Sequence, residues 1–413
     1  MNPGYRFYVG IDWASEEHAV CILNEKREVL EQKKFEHTGS GLAQLTDRLL
    51  EISGGEPAAV AVGIETPRGA VVETLVERGF HVYSLNPKQM DRFRDRHTVP
   101  GAKDDSRDAY VIADSLATDL HLYHPVRLDE PLIIRIRELS RSEEDVKRNQ
   151  TRTENQLRDL LNRYYPQMLK LCPAVNEAWF WDLIEQAPLP AAAGKLSKSK
   201  IQKLLSDNRI RRIDSQFVLD SLRVPSLKVA PGAAEAASEH VLLVLPLLRL
   251  LQQQAKDIAH RIGEVLEELG AEDRADEHRD VNILLSLPGV GQSVAATMLA
   301  EASQAIAERD YAALRSYAGI APITRQSGKK KSVVMRQGCN GRLRNAFYHW
   351  SRVSTQHDAR SKQHYAALRA KGHSHGRALR GITDRLLAVL VSMLKAGSLY
   401  DPARHAPAVQ PAA

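Results

Sequence analysis

Cysteine is scarce in this 413-residue chain: Cys21, Cys172 and Cys339 are far apart and form no C-x-x-C pair. That excludes a disulfide framework and a cysteine-rich zinc site, and suits a reducing cytoplasm. Long apolar runs are also missing. None reaches the roughly 18 residues that a membrane span needs, and the richest, Val241 to Leu251, is broken by Pro246 and Arg249. The first residues, Met1 to Arg6, lead straight into a strand-like run, so no signal peptide is expected. Negative charge is absent where positive charge is densest. Arg325 to Asn345 holds seven Lys/Arg and no Asp/Glu, and Lys195 to Arg212 holds seven against the single Asp207. The net charge is only +6, so this clustering, rather than the total, points to a polyanionic partner. An apolar fraction of 43% is ample for two or three domain cores.

Taken in order, the N-terminal part reads as three strands, helix, strand, helix, strand, helix. Tyr8 to Asp12, Ala19 to Leu23, Val29 to Phe35, Ala58 to Ile64 and His81 to Leu85 are the strands, with Asn24-Glu25-Lys26 as a turn. Gly41 to Ile52, Ala70 to Arg78 and Asp104 to Ala117 are the helices. Such an order implies a mixed sheet with helices packed on it, a ribonuclease-H-like (RuvC-like) α/β domain over residues 1–126. In open sheets of this kind, functional groups gather at the carboxyl ends of the strands, where Asp12 and Glu65 stand. A helix crossing that edge could add Asp105 and Asp108, three apart on one face. Either Asp104 or Asp105 could instead serve as the helix N-cap. Four crowded carboxylates resist ionisation together. A divalent cation removes that cost, hard oxygen ligands favour Mg²⁺, and two such ions can clamp a phosphodiester.

From Pro131 the pattern becomes helical. Ile136, Leu139, Val146, Leu157, Leu160 and Tyr164 recur near heptad spacing, as do Leu247, Leu251, Ile258, Ile262, Val265 and Leu269. The two read as an antiparallel pair or an oligomerising coiled coil spanning residues 127–280. Between them Pro188 to Gly194 reads as a linker, Lys195 to Arg212 as a basic helical segment, and Trp179 and Trp181 as core anchors. Residues 281–400 form a mainly α C-terminal domain, and residues 401–413 a disordered tail. Ile283 to Ala295 has the form of a helix-hairpin-helix, whose Pro-Gly-x-Gly turn at Gly289 and Gly291 can offer backbone amides to a phosphate. Ser327 follows in a polar loop amid Arg325, Lys329, Lys330, Lys331, Arg336, Arg342 and Arg344, cations able to hold a phosphate and favour alkoxide attack on it. Nothing marks Cys339 as an activated rival. His357, His364, His373 and His375 show no metal-ligand spacing and read as surface or phosphate contacts.

These pieces together resemble one family, the DEDD-type insertion-sequence transposases (insertion-sequence family one-ten), understood as bridge-RNA-guided DNA recombinases. The resemblance rests on Gly10-Ile11-Asp12, Gly63-Ile64-Glu65-Thr66, Leu85-Asn86-Pro87 and Lys103 to Ala109 in the first domain. In the last it rests on Leu287-Pro288-Gly289-Val290-Gly291, Ala318 to Pro322 and Ser327-Gly328. It implies an acidic, Mg²⁺-binding tetrad on Asp12, Glu65, Asp105 and Asp108, and a nucleophilic serine at Ser327. It also implies a composite of one subunit's acidic residues with another's serine, in a dimer that becomes a tetramer at synapsis. Donor and target DNA, and a guide RNA from the element's non-coding end, are the implied partners. Residues 170–235 look longer than the family's compact linker. A RuvC-like junction endonuclease would use the same carboxylates without a serine. An actin-like or sugar-kinase fold would want glycine-rich phosphate loops, and Asp12 is followed by Trp13-Ala14-Ser15 instead. A non-catalytic nucleic-acid scaffold would need none of these carboxylates.

Overall fold

A computed structural model describes residues 4–66, 69–85, 90, 93, 104–126, 129–271, 279–328 and 330–402. Lys103, Lys329, the Asn86-Pro87 pair and the tail from residue 403 onward lie outside them. The chain divides into two compact units, residues 1–129 and 130–413.

The first unit runs β1 (Phe7–Asp12), β2 (Glu17–Asn24), β3 (Val29–Glu36), α1 (Gly39–Ser53), β4 (Val60–Ile64), α2 (Ala70–Glu77), β5 (His81–Ser84), α3 (Asp105–Asp119) and the short β6 (His124–Pro125). The sheet order is β3-β2-β1-β4-β5-β6. The β1–β4 and β4–β5 pairs are parallel, and the other three are antiparallel. This mixed sheet with helices on it is compatible with the expected ribonuclease-H-like layout. The fourth strand begins at Val60, since Pro57–Ala59 forms a single 3₁₀ turn, with proline set at its start.

Alternation sorts the strands into two cores. Val9, Ile11, Val20, Ile22, Val62 and Ile64 face Leu42, Leu45 and Leu49 of α1 and Val71, Val72 and Leu75 of α2. Burying each leucine of α1 contributes about 1.5–3 kcal/mol as an upper bound. Thr38 starts that helix by accepting the Gly41 amide at 3.0 Å. Gly54, at φ +68°, ends it. The opposite face, with Tyr8, Cys21, Leu23 and Ala61, receives Ala109, Ile112, Ala113 and Leu116 of α3.

Two glycines decide how deeply α3 sits. Gly10 of β1 and Gly63 of β4 are cross-strand partners in the parallel register. A Cβ on Gly10 would lie 2.0 Å from the Ala109 carbonyl oxygen and 2.5 Å from the Ala113 nitrogen, and one on Gly63 would lie 2.9 Å from Ile112 Cγ2. The paired glycines thus leave a trough in the sheet, and the helix backbone lies in it.

Among the described residues the second unit is helical apart from one ribbon. It contains α4 (Pro131–Tyr164), α5 (Ala178–Gln186), α6 (Pro190–Ala193), α7 (Lys198–Asp207), α8 (Ser215–Leu222), α9 (Ala233–Gly270), α10 (Asp280–Ser286), α11 (Gln292–Ala307), α12 (Tyr311–Tyr317), β7 (Ile323–Ser327), β8 (Lys330–Val334), α13 (Gly341–His357), α14 (Ala359–Ala370) and α15 (His375–Ala396). The two long helices, roughly 50 and 57 Å by their residue counts, pack as an antiparallel pair. Ile136 near the start of α4 shares a core with Ile262, Val265 and Leu269 near the end of α9. Leu157, Leu161 and Tyr164 share another with Val241, Leu245 and Leu248 near its beginning.

Three expectations are corrected here. The proline- and alanine-rich stretch at 188–194 is not a linker: Pro190–Ala193 is a helical turn with Ala193 buried in the second core. The basic segment is helical only to Asp207, because Arg209 takes φ +57° and Ile210 folds back to the Leu205 carbonyl. The stretch carrying Ser327 is a β-ribbon rather than a loop. Trp179 and Trp181 are core anchors as expected, with the indole of Trp181 donating to the Val175 carbonyl at 2.8 Å. No helix among the described residues is long and apolar enough to cross a membrane.

Candidate active site

The sheet register brings the first two carboxylates together. Ile11 pairs with Ile64, so Asp12 and Glu65 are the next residues along adjacent parallel strands. The first turn of α3 arrives at the same edge through the glycine trough, and Asp108 is buried there. Asp104 is the N-cap, its Oδ1 accepting the Ser106 amide at 3.3 Å. That assigns the capping role to Asp104 and leaves Asp105 and Asp108 in the first turn. Asp105 is exposed and stands 4.0 Å from Lys34 Nζ, which also pairs with Glu17 at 3.6 Å. Among the described residues no three carboxylate, imidazole or thiol groups stand close enough to hold a metal ion. The donors are nevertheless hard oxygens. Mg²⁺ usually takes one or two carboxylates and completes its shell with water and phosphate oxygens, so one or two of Asp12, Glu65, Asp105 and Asp108 would suffice for an ion brought with a phosphodiester.

Sequence reasoning missed a second group at this edge. His18, wholly buried on β2, is joined by its Nε2 to Nδ1 of His37 at 2.9 Å. Trp13, the residue after Asp12, lies against both rings. Burial, and then the neighbouring His37, hold the His18 imidazole below its ordinary pKa. The readable signal was a histidine at an inward strand position.

Ser327 ends β7 and pairs with Lys330 of β8, and Gly328 after it has φ +54°. Residues directly opposite share a face, and so do residues two apart. Arg325, Ser327, Lys330 and Ser332 therefore share one face of an exposed ribbon, while Lys331 lies on the other.

The remaining cations divide by what they touch. Arg342 is held by Glu144 and by Ser140 at 2.9 Å. Its Nε also lies 2.9 Å from Glu301, although that N–H is not aimed at the oxygen, so the contact is an ion pair without a hydrogen bond. Arg344 donates to the Arg336 carbonyl, and Arg336 to that of Ala321 at 3.4 Å. Arg380, which sequence reasoning did not single out, lies 3.3 Å from Met335 Sδ at the foot of the ribbon. Burial, with Arg344 and Arg377 nearby, lowers its pKa. The hairpin between α10 and α11 is clamped by α13: Trp350 and Ser354 both donate to the Pro288 carbonyl, at 3.1 and 2.6 Å. A Cβ on Gly289, at φ +83°, would lie 2.6 Å from Ser354 Oγ, whereas Gly291 faces open space at the start of α11. Gly289 is thus fixed by packing, and Gly291 is the accessible member of the pair.

Comparison with known proteins identifies the family. Residues 9–166 match a family described as a DEDD-type transposase, and residues 281–366 match the transposase family IS116/IS110/IS902. A mini-circle putative transposase for IS117 from Streptomyces coelicolor is 32% identical over 415 residues, covering 98% of each chain. The chain belongs to the IS110 family of transposases. A putative transposase, y4uE, from Sinorhizobium fredii is 44% identical over 216 residues, which are 52% of this chain and 60% of that one. An IS110 protein of Streptomyces coelicolor is 27% identical over 406 residues and 95% of each. Members of the IS110 family are insertion-sequence enzymes that cut and rejoin DNA. The two family matches leave residues 167–280 of this transposase uncovered.

Proposed function

We propose that the chain is the recombinase of its insertion sequence, using Ser327 as nucleophile and the Asp12, Glu65, Asp105 and Asp108 edge as its acidic centre. The observation that carries this reading is the ribbon face on which Ser327 stands with Arg325 and Lys330, exposed to solvent. The two cations hold the non-bridging oxygens of a DNA phosphodiester and offset charge as the serine alkoxide forms. Ser327 Oγ bonds to phosphorus, one bridging P–O bond breaks, and the released sugar oxygen takes a proton. The phosphoserine keeps the bond energy, so attack by another strand's hydroxyl reverses the step and joins new partners. A divalent cation would be held by one or two of Asp12, Glu65, Asp105 and Asp108, and would supply Lewis-acid stabilisation of the phosphate. The reading includes donor and target DNA, an oligomeric enzyme and a guide RNA encoded by the element, for which the resemblance in sequence is the support.

The test uses purified protein with Mg²⁺, the element's RNA and end-labelled donor and target DNA, resolved on denaturing gels. Recombinant junctions and a protein–DNA adduct are expected. Ser327→Ala removes the adduct and lowers strand transfer on the order of a thousandfold or more, and Asp108→Asn abolishes transfer. Normal recombination by Ser327→Ala would show that the nucleophile is misassigned. Cleavage without joining in that variant would favour the junction endonuclease.

A further inference from the structure

Trp13 is the one exposed indole in the chain. Of the four tryptophans, Trp179, Trp181 and Trp350 are at most 1% accessible, whereas Trp13 is 45% accessible. A single exposed apolar side chain is ordinary on a protein surface. What separates Trp13 from that case is how it is held. The His18 ring lies nearly parallel to the indole, 28° apart with centroids at 6.4 Å, and His37 meets it edge-on at 6.3 Å and 81°. The imidazoles are perpendicular to each other, 5.0 Å apart. Their hydrogen bonds form a directed chain. The Ala14 amide donates to His18 Nδ1 at 3.4 Å, so neutral His18 carries its proton on Nε2 and donates it to His37 Nδ1. The indole is therefore ordered before any ligand arrives, which removes part of the entropic cost of binding.

Its position adds the second argument. Trp13 directly follows Asp12 at the carboxyl ends of the parallel strands, the edge where ligands of open sheets bind. Strand exchange at a phosphodiester requires bases there to unpair, and an unpaired base is most stable when it stacks. Glu17, at the start of β2, is paired with Lys34 at 3.6 Å.

We propose that Trp13, braced by His18 and His37, is a stacking platform for an unpaired DNA base beside the phosphodiester at the acidic edge. The proposal rests on the reading that this edge receives the DNA being cut.

The experiment follows the intrinsic fluorescence of the full-length protein. Because the other three indoles are buried, quenching by a stacked base reports Trp13. Short single-stranded DNA from the element end, the duplex, and single-stranded RNA of the same sequence are titrated in turn, with anisotropy of a labelled oligonucleotide as the independent measure of binding. Single-stranded DNA quenches the wild-type protein. Trp13→Phe binds with little loss but shows no quenching. Trp13→Ala binds single-stranded DNA about tenfold more weakly. DNA binding without quenching, quenching by RNA alone, or equal quenching in Trp13→Phe would each overturn the proposal. Failure of the serine reading leaves a different trace: Ser327→Ala would recombine normally while DNA still quenched Trp13.

Discussion

Gly10 shows how one missing methyl group sets the geometry of the acidic edge. Its side is occupied by the α3 backbone, so Gly10→Ala places a Cβ 2.0 Å from the Ala109 carbonyl and 2.5 Å from the Ala113 amide nitrogen. Neither atom is the end of a flexible side chain, so the helix itself must move. Overpacking of this kind costs about 1–3 kcal/mol, and backbone contacts lie at the upper end. The expected result is a lowered melting temperature together with loss of strand transfer beyond what the lost stability accounts for, because Asp108 moves with the helix. A variant that melts early yet recombines normally at low temperature would show that the depth of α3 does not matter to catalysis. At this scale Asp12 and Glu65 were legible in sequence, since each follows a continuous apolar run of the kind a buried parallel strand requires. The bracing of Trp13 was not. It depends on His18 of β2 meeting His37, just past β3, and an inward strand histidine does not disclose which residue it meets.

His18 of β2 and His37, the residue after β3, are joined, which makes this element sensitive to pH. His18 has a pKa lowered by burial and by His37, so the unfolded chain takes up the proton more readily than the folded one. Stability is then complete above the ordinary imidazole value near about 6.5. It falls as pH drops below that value, and the loss stops once the lower folded-state pKa is passed. Melting temperature recorded between about pH 7.5 and 5 should fall less steeply in His18→Gln than in the wild type. His364, also lowered by burial with Arg385 and Lys371 nearby, remains in both and cancels in the comparison. Identical slopes would mean that His18 titrates as it does in water. The β7–β8 ribbon illustrates the reverse, an element that sequence did not disclose. Its strands, Ile323–Ser327 and Lys330–Val334, are exposed at nearly every position. With no buried face there is no hydrophobic alternation to read, and only the Gly328 turn and the pairing itself reveal it.

Across the whole second unit, the antiparallel pair of α4 and α9 was legible because apolar residues kept at heptad spacing through such long stretches suit a helix and little else. Of the small helices packed at one end, α7 was legible as the basic helical segment, whereas α5, α6 and α8 were not, because each has fewer than four turns and their common core exists only in three dimensions. The pair also leaves apolar surface unused. Leu243, Leu247 and Leu250 of α9 are 77%, 45% and 53% accessible, and their spacing of four and three puts them on one stripe. Transposases commonly oligomerise, and this stripe is an apolar surface that a second copy would cover. Burying two leucines contributes about 3–6 kcal/mol to association, so Leu243→Glu with Leu247→Glu should weaken self-association by on the order of a hundredfold or more. Sedimentation equilibrium of the wild-type protein is expected to show a dimer or larger species. The double variant should sediment as a monomer and keep its melting temperature, since the replaced side chains touch no core. An unchanged mass in the variant would assign oligomerisation to another surface and leave the stripe without this role.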